Sequence, residues 1–284
     1  MRREEEMTPP VGLVALDFDG TLRSPDGRLG LDDIAALREA GAGGVVRALV
    51  TGRSMASLQS VIPENLAAQL DYLLVASGAA CWGAKDRVWL EVHNFEDEQA
   101  GRVEQVLSEA RLDFSRHGPV PDNHHFAIKR LSGLDNPDMD RMEALARKRA
   151  WLCDGPEKQL KRVGQFIAVL PINGHEAHLD LRECLPDCSV IRATSPIDHA
   201  STWVEIFPAQ VSKAAACARL CARLGLKSEQ VVAVGNDHND EDMLDWAGKG
   251  FVVAGAPAEL RARFEIVAAC DAGGVAEALR RCFP

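Results

Sequence analysis

No stretch of this 284-residue chain approaches the roughly 18 consecutive apolar residues of a membrane-spanning helix. Its opening, MRREEEMTPP, carries charge where a secretory leader would carry an apolar core. Neither a span nor a signal peptide is expected, and a cytoplasmic location follows. Positive charge is in deficit: 32 Lys and Arg face 42 Asp and Glu, a formal net charge of −10. That balance argues against a nucleic-acid binder and against an anionic membrane surface, but leaves room for a local basic pocket that takes an anionic metabolite. Eight cysteines are present, yet none forms a CxxC pair, and the two CxxxC pairs, Cys184/Cys188 and Cys217/Cys221, lack histidines at zinc-finger spacing. Buried free thiols in a reducing cytosol are expected ahead of a zinc site or a disulfide framework. Internal repeats and low-complexity segments are missing too.

What is present is enough apolar material, 46% of residues, for one large domain or two modest ones. The apolar run VGLVAL (11–16), bounded by acids, reads as a buried parallel strand. A helix over 32–40, a glycine-rich stop and a second buried strand within 41–50, a helix over 54–62 capped by Ser54, and a strand over 71–77 continue the alternation. The middle has another rhythm, with short strands paired as 79–82 with 88–92 and 126–130 with 166–170. Helices fit 95–110, 138–152 and 174–185, and further strands fit 188–192 and 202–207. Alternation returns with a helix over 212–225, capped by Ser212 and stopped by Gly225, a strand over 231–234, a helix over 240–247, a strand over 251–254 and a helix over 274–282. The expected fold is α/β: a doubly wound, Rossmann-like parallel sheet formed by 1–78 and 208–284, interrupted by an inserted α+β unit over 79–207.

The chemistry sits where strands end. LDFDGTL follows the first strand. Asp17 and Asp19 are i and i+2, so on extended chain they point the same way, at the end of the sheet where open α/β proteins place ligands. A solvated turn would explain a lone DxD, but not an apolar strand running into DxDGT. TGRS follows the second strand: Thr51 offers a hydroxyl and Gly52 an unhindered N–H to a phosphate oxygen. Lys213 opens a helix, where a lysine is electrostatically misplaced, which suggests that its ammonium meets an anion. Asn236, Asp237, Asn239 and Asp240 follow the strand VVAV. Acids at a helix start are stabilising in themselves, so capping explains part of this cluster.

In order and placement these elements resemble the motifs of the haloacid dehalogenase superfamily, in particular its phosphatases of the Cof type with a large α/β cap. DFDGT resembles the nucleophile motif, TGR the second, Lys213 in SKAAA the third, and GNDHNDEDML the fourth. The resemblance implies a Mg²⁺-dependent phosphomonoester hydrolase acting on a small phosphorylated metabolite, in the first place a sugar phosphate. It implies Asp17 as the nucleophile that forms an aspartyl-phosphate, Asp19 as the acid and base, Thr51 and Gly52 as phosphate binders, and Lys213 as a further positive charge on the phosphate. Asp17, Asp19, Asn236 and Asp240 would hold the metal. The family carries an acid where this chain has Asn236; an amide carbonyl is an acceptable ligand, and Asp237 is the alternative if the loop is rotated. A phosphomutase and a catalytically weak binding protein remain the other readings. Within 79–207, Arg116, His117, His124, His125, Lys129 and Arg130 form the most basic stretch, for each of which a solvated loop is the plainer expectation. Oligomeric state is not legible.

Overall fold

The computed structural model describes residues 11–153, 162–170, 175–195 and 201–283. The charged lead-in over 1–10 and the first residue of the helix expected at 174–185 lie outside them. The first third of the chain alternates: β1 (Gly12–Leu16), α1 (Leu31–Ala42), β2 (Val45–Val50), α2 (Met55–Gln59), α3 (Glu64–Ala67) and β3 (Tyr72–Val75), then the strands β4 (Ala80–Gly83) and β5 (Val88–Val92). The middle runs α4 (Asp97–Glu109), β6 (Phe114–His117), β7 (Phe126–Lys129), α5 (Pro137–Lys148), β8 (Gln165–Leu170), α6 (His175–Cys184), β9 (Cys188–Thr194) and β10 (Thr202–Pro208). The last third runs α7 (Lys213–Leu224), β11 (Val231–Gly235), α8 (Glu241–Trp246), β12 (Lys249–Val253), α9 (Ala258–Arg261), β13 (Glu265–Val267) and α10 (Gly274–Cys282).

These strands form two sheets. The first has the order β13-β12-β11-β1-β2-β3-β4-β5 and is parallel from β13 to β3. Every residue of β1 is buried; Val14 and Leu16 face one apolar layer, with α1 and α10, while Leu13 and Ala15 face the other, with α7 and α8. That two-residue alternation with apolar residues on both faces is what a sheet covered on both sides requires. The chain winds outward from β1 in both directions, so the sheet reverses its order between β1 and β11. The carboxyl ends of these two strands therefore open onto a natural ligand crevice.

The second sheet is antiparallel, in the order β7-β6-β8-β10-β9. One face packs on α4 and α6 around Phe114, Phe166 and Ile206; the other packs on α5 through Met139, Met142 and Ala146. Two sequence expectations fail here. The pair β4 and β5 extends the first sheet rather than opening the inserted unit, because β4 runs antiparallel beside β3 with Leu74 opposite Cys81. The chain thus leaves the first sheet after Val92, and the boundary expected at 79 falls inside that sheet. The strands at 126–129 and 165–170 do not pair with each other either; β6 lies between them. All eight cysteines are free, but only Cys81, Cys217 and Cys221 are buried, fewer than expected. No helix among the described residues is long and apolar enough to cross a membrane.

Candidate active site

Strand β1 delivers Asp17 at its end, with the Asp17 N–H donating to the Val234 carbonyl of β11 at 3.0 Å. The chain then turns at Gly20, whose φ of +84° suits glycine; a Cβ there would stand 2.4 Å from Asn236 Nδ2. Two strand ends and one turn thus bring Asp17, Asp19 and Asn236 together.

Behind them lies a buried ion triad. Lys213 Nζ donates to Asp17 Oδ1 at 2.7 Å and to Asp240 Oδ1 at 2.6 Å. Lys213 and Asp240 are 0% exposed and Asp17 is 5% exposed. Burial, then the Asp240 carboxylate, pushes Asp17 up to about 7 against the pull of Lys213. Burial alone would depress the Lys213 ammonium, but Asp17 and Asp240 outweigh it and hold it above the ordinary lysine range. The second oxygen of Asp240 accepts the N–H groups of Asn236 at 2.8 Å and Asp237 at 3.1 Å, which fixes the loop after β11. The lysine that looked misplaced at a helix start is therefore paired twice, beneath the cavity floor rather than on its wall.

Asn236 turns towards Asp17 and Asp237 turns away. Asp237 accepts from the Thr194 N–H at 2.8 Å and its hydroxyl at 2.9 Å, tying the loop to β9 of the second sheet. The Asn236 amide can present either end to one position. With oxygen there, it accepts from the Thr21 hydroxyl at 3.0 Å. With nitrogen there, it donates to the Asp19 carbonyl at 2.8 Å and to Asp17 Oδ2 at 3.0 Å. In the first orientation three oxygens face one another: a carboxylate, a backbone carbonyl and an amide carbonyl. An all-oxygen set of this kind suits a hard divalent cation. Among the described residues no cluster of three His, Cys, Asp or Glu side chains could hold a metal, so any ion here relies on that mixed set.

Asp19 lies on the solvent side. Arg53 grips its carboxylate through both Nε and Nη2, the latter at 2.8 Å, and Arg23 stands at 3.4 Å. Thr51 is buried, and its hydroxyl accepts the Arg53 N–H at 3.2 Å. Glu205, from β10, reaches across from the second sheet: it accepts from the Ser77 hydroxyl at 2.7 Å, and its other oxygen would lie 3.3 Å from a Cβ on Gly52. Burial holds the Glu205 carboxyl above its usual range. Neither Arg53 nor Glu205 was singled out from sequence. Arg53 is the arginine of the TGR match itself, and Glu205 is a lone acid inside the apolar strand WVEIFP, a signal that could have exposed it.

A cavity of about 790 Å³ links these groups, its wall including Asp17, Asp19, Thr51, Gly52, Asn236 and Asp237 from the first sheet. His117, Asn123, His124, Phe126, Trp151, Gln165 and Trp203 line it from the other side. Of the basic stretch expected at 116–130, His117 and His124 reach the cavity, whereas Arg116 and Lys129 pair with Glu104 and Arg130 with Asp113 and Asp140.

Residues 14–279 match the family model of haloacid dehalogenase-like hydrolases. An HMP-PP phosphatase of Klebsiella pneumoniae is 25% identical over 256 residues, covering 88% of this chain and 86% of its own. One from Cronobacter sakazakii is 26% identical over 273 residues, covering 94% of each. Among solved structures, a phosphatase of the haloalkanoate superfamily from Bacteroides thetaiotaomicron, BT1666, superposes with a TM-score of 0.77 at 18% identity, over 98% of both chains. The subclass IIB sugar phosphatase BT4131 superposes with a TM-score of 0.72 at 18% identity, over 95% of this chain and 98% of its own. With the acids, the lysine and the two-sheet architecture of the site, the match over almost the whole length places this chain: it belongs to the haloacid dehalogenase-like hydrolase family.

Proposed function

We propose that the chain hydrolyses phosphate monoesters of small metabolites through an aspartyl-phosphate on Asp17, with Mg²⁺ as its metal. The observation that supports this best is the meeting of Asp17, Asp19, Thr51 and Asn236 around one cavity at the point where the sheet reverses. Asp17 Oδ attacks phosphorus as the bond to the leaving oxygen breaks, and Asp19 gives that oxygen a proton. Asp19 then takes a proton from water, whose oxygen attacks the same phosphorus and frees phosphate and the Asp17 carboxylate. Thr51 and the Gly52 N–H hold the phosphoryl oxygens. Lys213 favours the ionised form of Asp17, against the burial and the Asp240 carboxylate that oppose it, and holds it in place from beneath.

Phosphatases of this superfamily generally use a divalent metal ion. Here Asp17 Oδ2, the Asp19 carbonyl and Asn236 Oδ1 would hold it, with Asp240 bracing the loop. Such an ion supplies positive charge between two anions, the nucleophile and the phosphate. We read the second sheet with its helices as the cap that selects the substrate, and the first sheet as the catalytic core.

HMP-PP, from the names of the relatives, and sugar phosphates, from the BT4131 neighbour, are the first esters to assay. A phosphomutase has less support, because Arg149 is the only arginine that the described part of the second-sheet side contributes to the cavity wall. Phosphate release from a panel of phosphorylated metabolites with Mg²⁺, beside Asp17→Asn, tests the proposal. Turnover that persists in the variant overturns the covalent route; a wild type inert on every ester supports a binding protein.

A further inference from the structure

Resting on that reading of the site, we infer that Ser77 is a positioning residue: it aims the Gly52 N–H at the phosphate, and Glu205 and Arg219 hold it in the conformation that does so. Ser77 stands in the turn 76–78, directly after β3. All three residues of the turn have positive φ, +51° at Ala76, +53° at Ser77 and +91° at Gly78. Only glycine takes that conformation without strain, so Ala76 and Ser77 are held there against their own preference. The turn grips the loop after β2. The Ser77 N–H donates to the Thr51 carbonyl at 2.9 Å, and the Ala76 N–H to the Arg53 carbonyl at 2.8 Å. The Thr51 carbonyl and the Gly52 N–H belong to one trans peptide plane, in which the two groups point in opposite directions. Drawing the carbonyl back onto Ser77 therefore directs the Gly52 N–H away from the turn. Gly52 lines the cavity, and its N–H has no hydrogen-bond partner among the described residues.

What keeps a strained turn in place lies outside it. From the second sheet, Glu205 of β10 accepts the Ser77 hydroxyl at 2.7 Å, with both residues buried. From α7, Arg219 Nη2 donates to the Gly78 carbonyl at 3.0 Å. The same guanidinium donates through Nη1 to the Gln210 carbonyl at 2.7 Å and through Nε to Glu91 Oε1 at 2.9 Å. It thus joins the turn to β5, the last strand before the chain leaves the first sheet, and to the segment on which the chain returns. Gly78 presses on that helix as well: a Cβ there would lie 2.5 Å from Ala216 Cβ. The aim of the Gly52 N–H therefore depends on the seating of the second sheet, without any second-sheet residue having to touch the phosphate.

Inorganic phosphate is the probe, titrated calorimetrically with Mg²⁺ present into wild type, Ser77→Ala and Ser77→Gly. Both variants lose the hydroxyl that Glu205 accepts, but only glycine takes positive φ unstrained. Ser77→Ala should weaken phosphate binding about tenfold, the scale of one hydrogen bond to a charged group. Ser77→Gly should recover most of that loss. In Ser77→Ala the KM of small and large esters should rise by one common factor with kcat little changed, as for a lost contact to the group that all esters share. Arg219→Met, outside the cavity wall, should weaken phosphate binding in the same direction. The stoichiometry gives the folded fraction, so the affinity is read on folded protein alone. Unchanged affinity in Ser77→Ala or Arg219→Met, equal weakness of Ser77→Ala and Ser77→Gly, or a loss that varies with the leaving group overturns the inference. If wild type neither binds phosphate nor hydrolyses any ester, the phosphatase reading fails instead. Hydrogen exchange of the residue-77 amide, corrected for intrinsic rates, then decides the brace by itself. It should quicken in Ser77→Ala and stay near wild type in Ser77→Gly; equal exchange in the two overturns it.

Discussion

At the carboxyl end of the first sheet, Asp17, Lys213 and Asp240 lie buried as charged groups in direct contact. On the facing side of the second sheet the buried polar groups that line the cavity are His117, Asn123, Gln165 and Ser195, with one acid, Glu205, and burial pushes His117 down to about 4, so that it is neutral near pH 7. One sheet gathers three charged groups in direct contact, whereas the other presents mostly neutral polar groups to the cavity, with Glu205 held apart from a cationic partner by its Ser77 hydrogen bond. Phosphoryl transfer needs fixed charge beside phosphorus, whereas choosing a leaving group needs shape and a few hydrogen bonds. The division of labour follows from how each side chain is buried and by what.

The hardest blow to this contrast is Asp17→Asn. It removes the only carboxylate placed to attack phosphorus, and turnover should fall by more than about 10⁴-fold with the fold intact. Phosphate release and circular dichroism check it; a residual rate of a few per cent in a pure sample contradicts the covalent role. Asp19→Ala should lower turnover by roughly 10²–10⁴-fold on alkyl esters, the range for lost acid–base help. The loss should be smaller on p-nitrophenyl phosphate, whose leaving group needs little protonation. Equal losses on both would remove Asp19 from the proton transfer.

Lys213→Met leaves two buried carboxylates without their cation. Stability in urea should drop by about 3–5 kcal/mol, and a second change, Asp240→Asn, should recover part of it. A variant as stable as wild type would show that the triad is not held as ions.

Acid should act on the two sheets in opposite directions. Asp33 caps α10 by accepting the Ala276 N–H at 2.8 Å. Burial raises it to about 6, so the stability linked to it is largest at low pH and falls as pH climbs from about 4 to 6. Neutral His117 has the reverse sign: its contribution is complete above 6.5 and is lost as pH drops towards 4. At pH 5 that loss is about 2 kcal/mol, from 1.5 pH units at ~1.4 kcal/mol each. Hydrogen exchange at pH 7 and pH 5, corrected for intrinsic rates, should show β6 and β8 losing protection while β1 and β11 keep theirs. His117→Gln should abolish the difference; a uniform loss would refute the contrast.

The smallest effect sharpens the comparison at its centre. Asn236→Asp adds charge to the sheet that already stores it, and should lower the Mg²⁺ concentration for half-activation about tenfold, or ~1.4 kcal/mol. The same variant should melt at a lower temperature without metal, because it loses the amide N–H that can satisfy Asp17 and the Asp19 carbonyl. An unchanged metal titration together with an unchanged melting point would exclude Asn236 from the metal site.

The two regions also differ in how legible they were. Parallel strands that wind outward from β1 bring their carboxyl ends together, so short polar runs after apolar strands announce a shared site even when they are distant in sequence. Asp17, Asp19, Thr51 and Asn236 could be read in that way. The cavity wall of the second sheet could not, since Asn123, Trp151, Gln165 and Trp203 come from separate segments, each locally unremarkable. Strand β6, with the sequence FSRH, is too short and too mixed in polarity for periodicity to register. Missing it led to the wrong pairing of the strands on either side. Sequence placed Lys213 correctly at a helix start, but only the packing of α7 against β1 and α8 shows that it lies below the floor.

That burial has a consequence for the kinds of covalent chemistry open to this fold. An ammonium held by two carboxylates keeps its proton, and so has no lone pair to offer a carbonyl. Lys213 cannot condense with an aldehyde or ketone to form an imine, however close such a group comes. The amine of Lys213 is thereby withheld from covalent chemistry in this cavity, and its part is confined to charge and position.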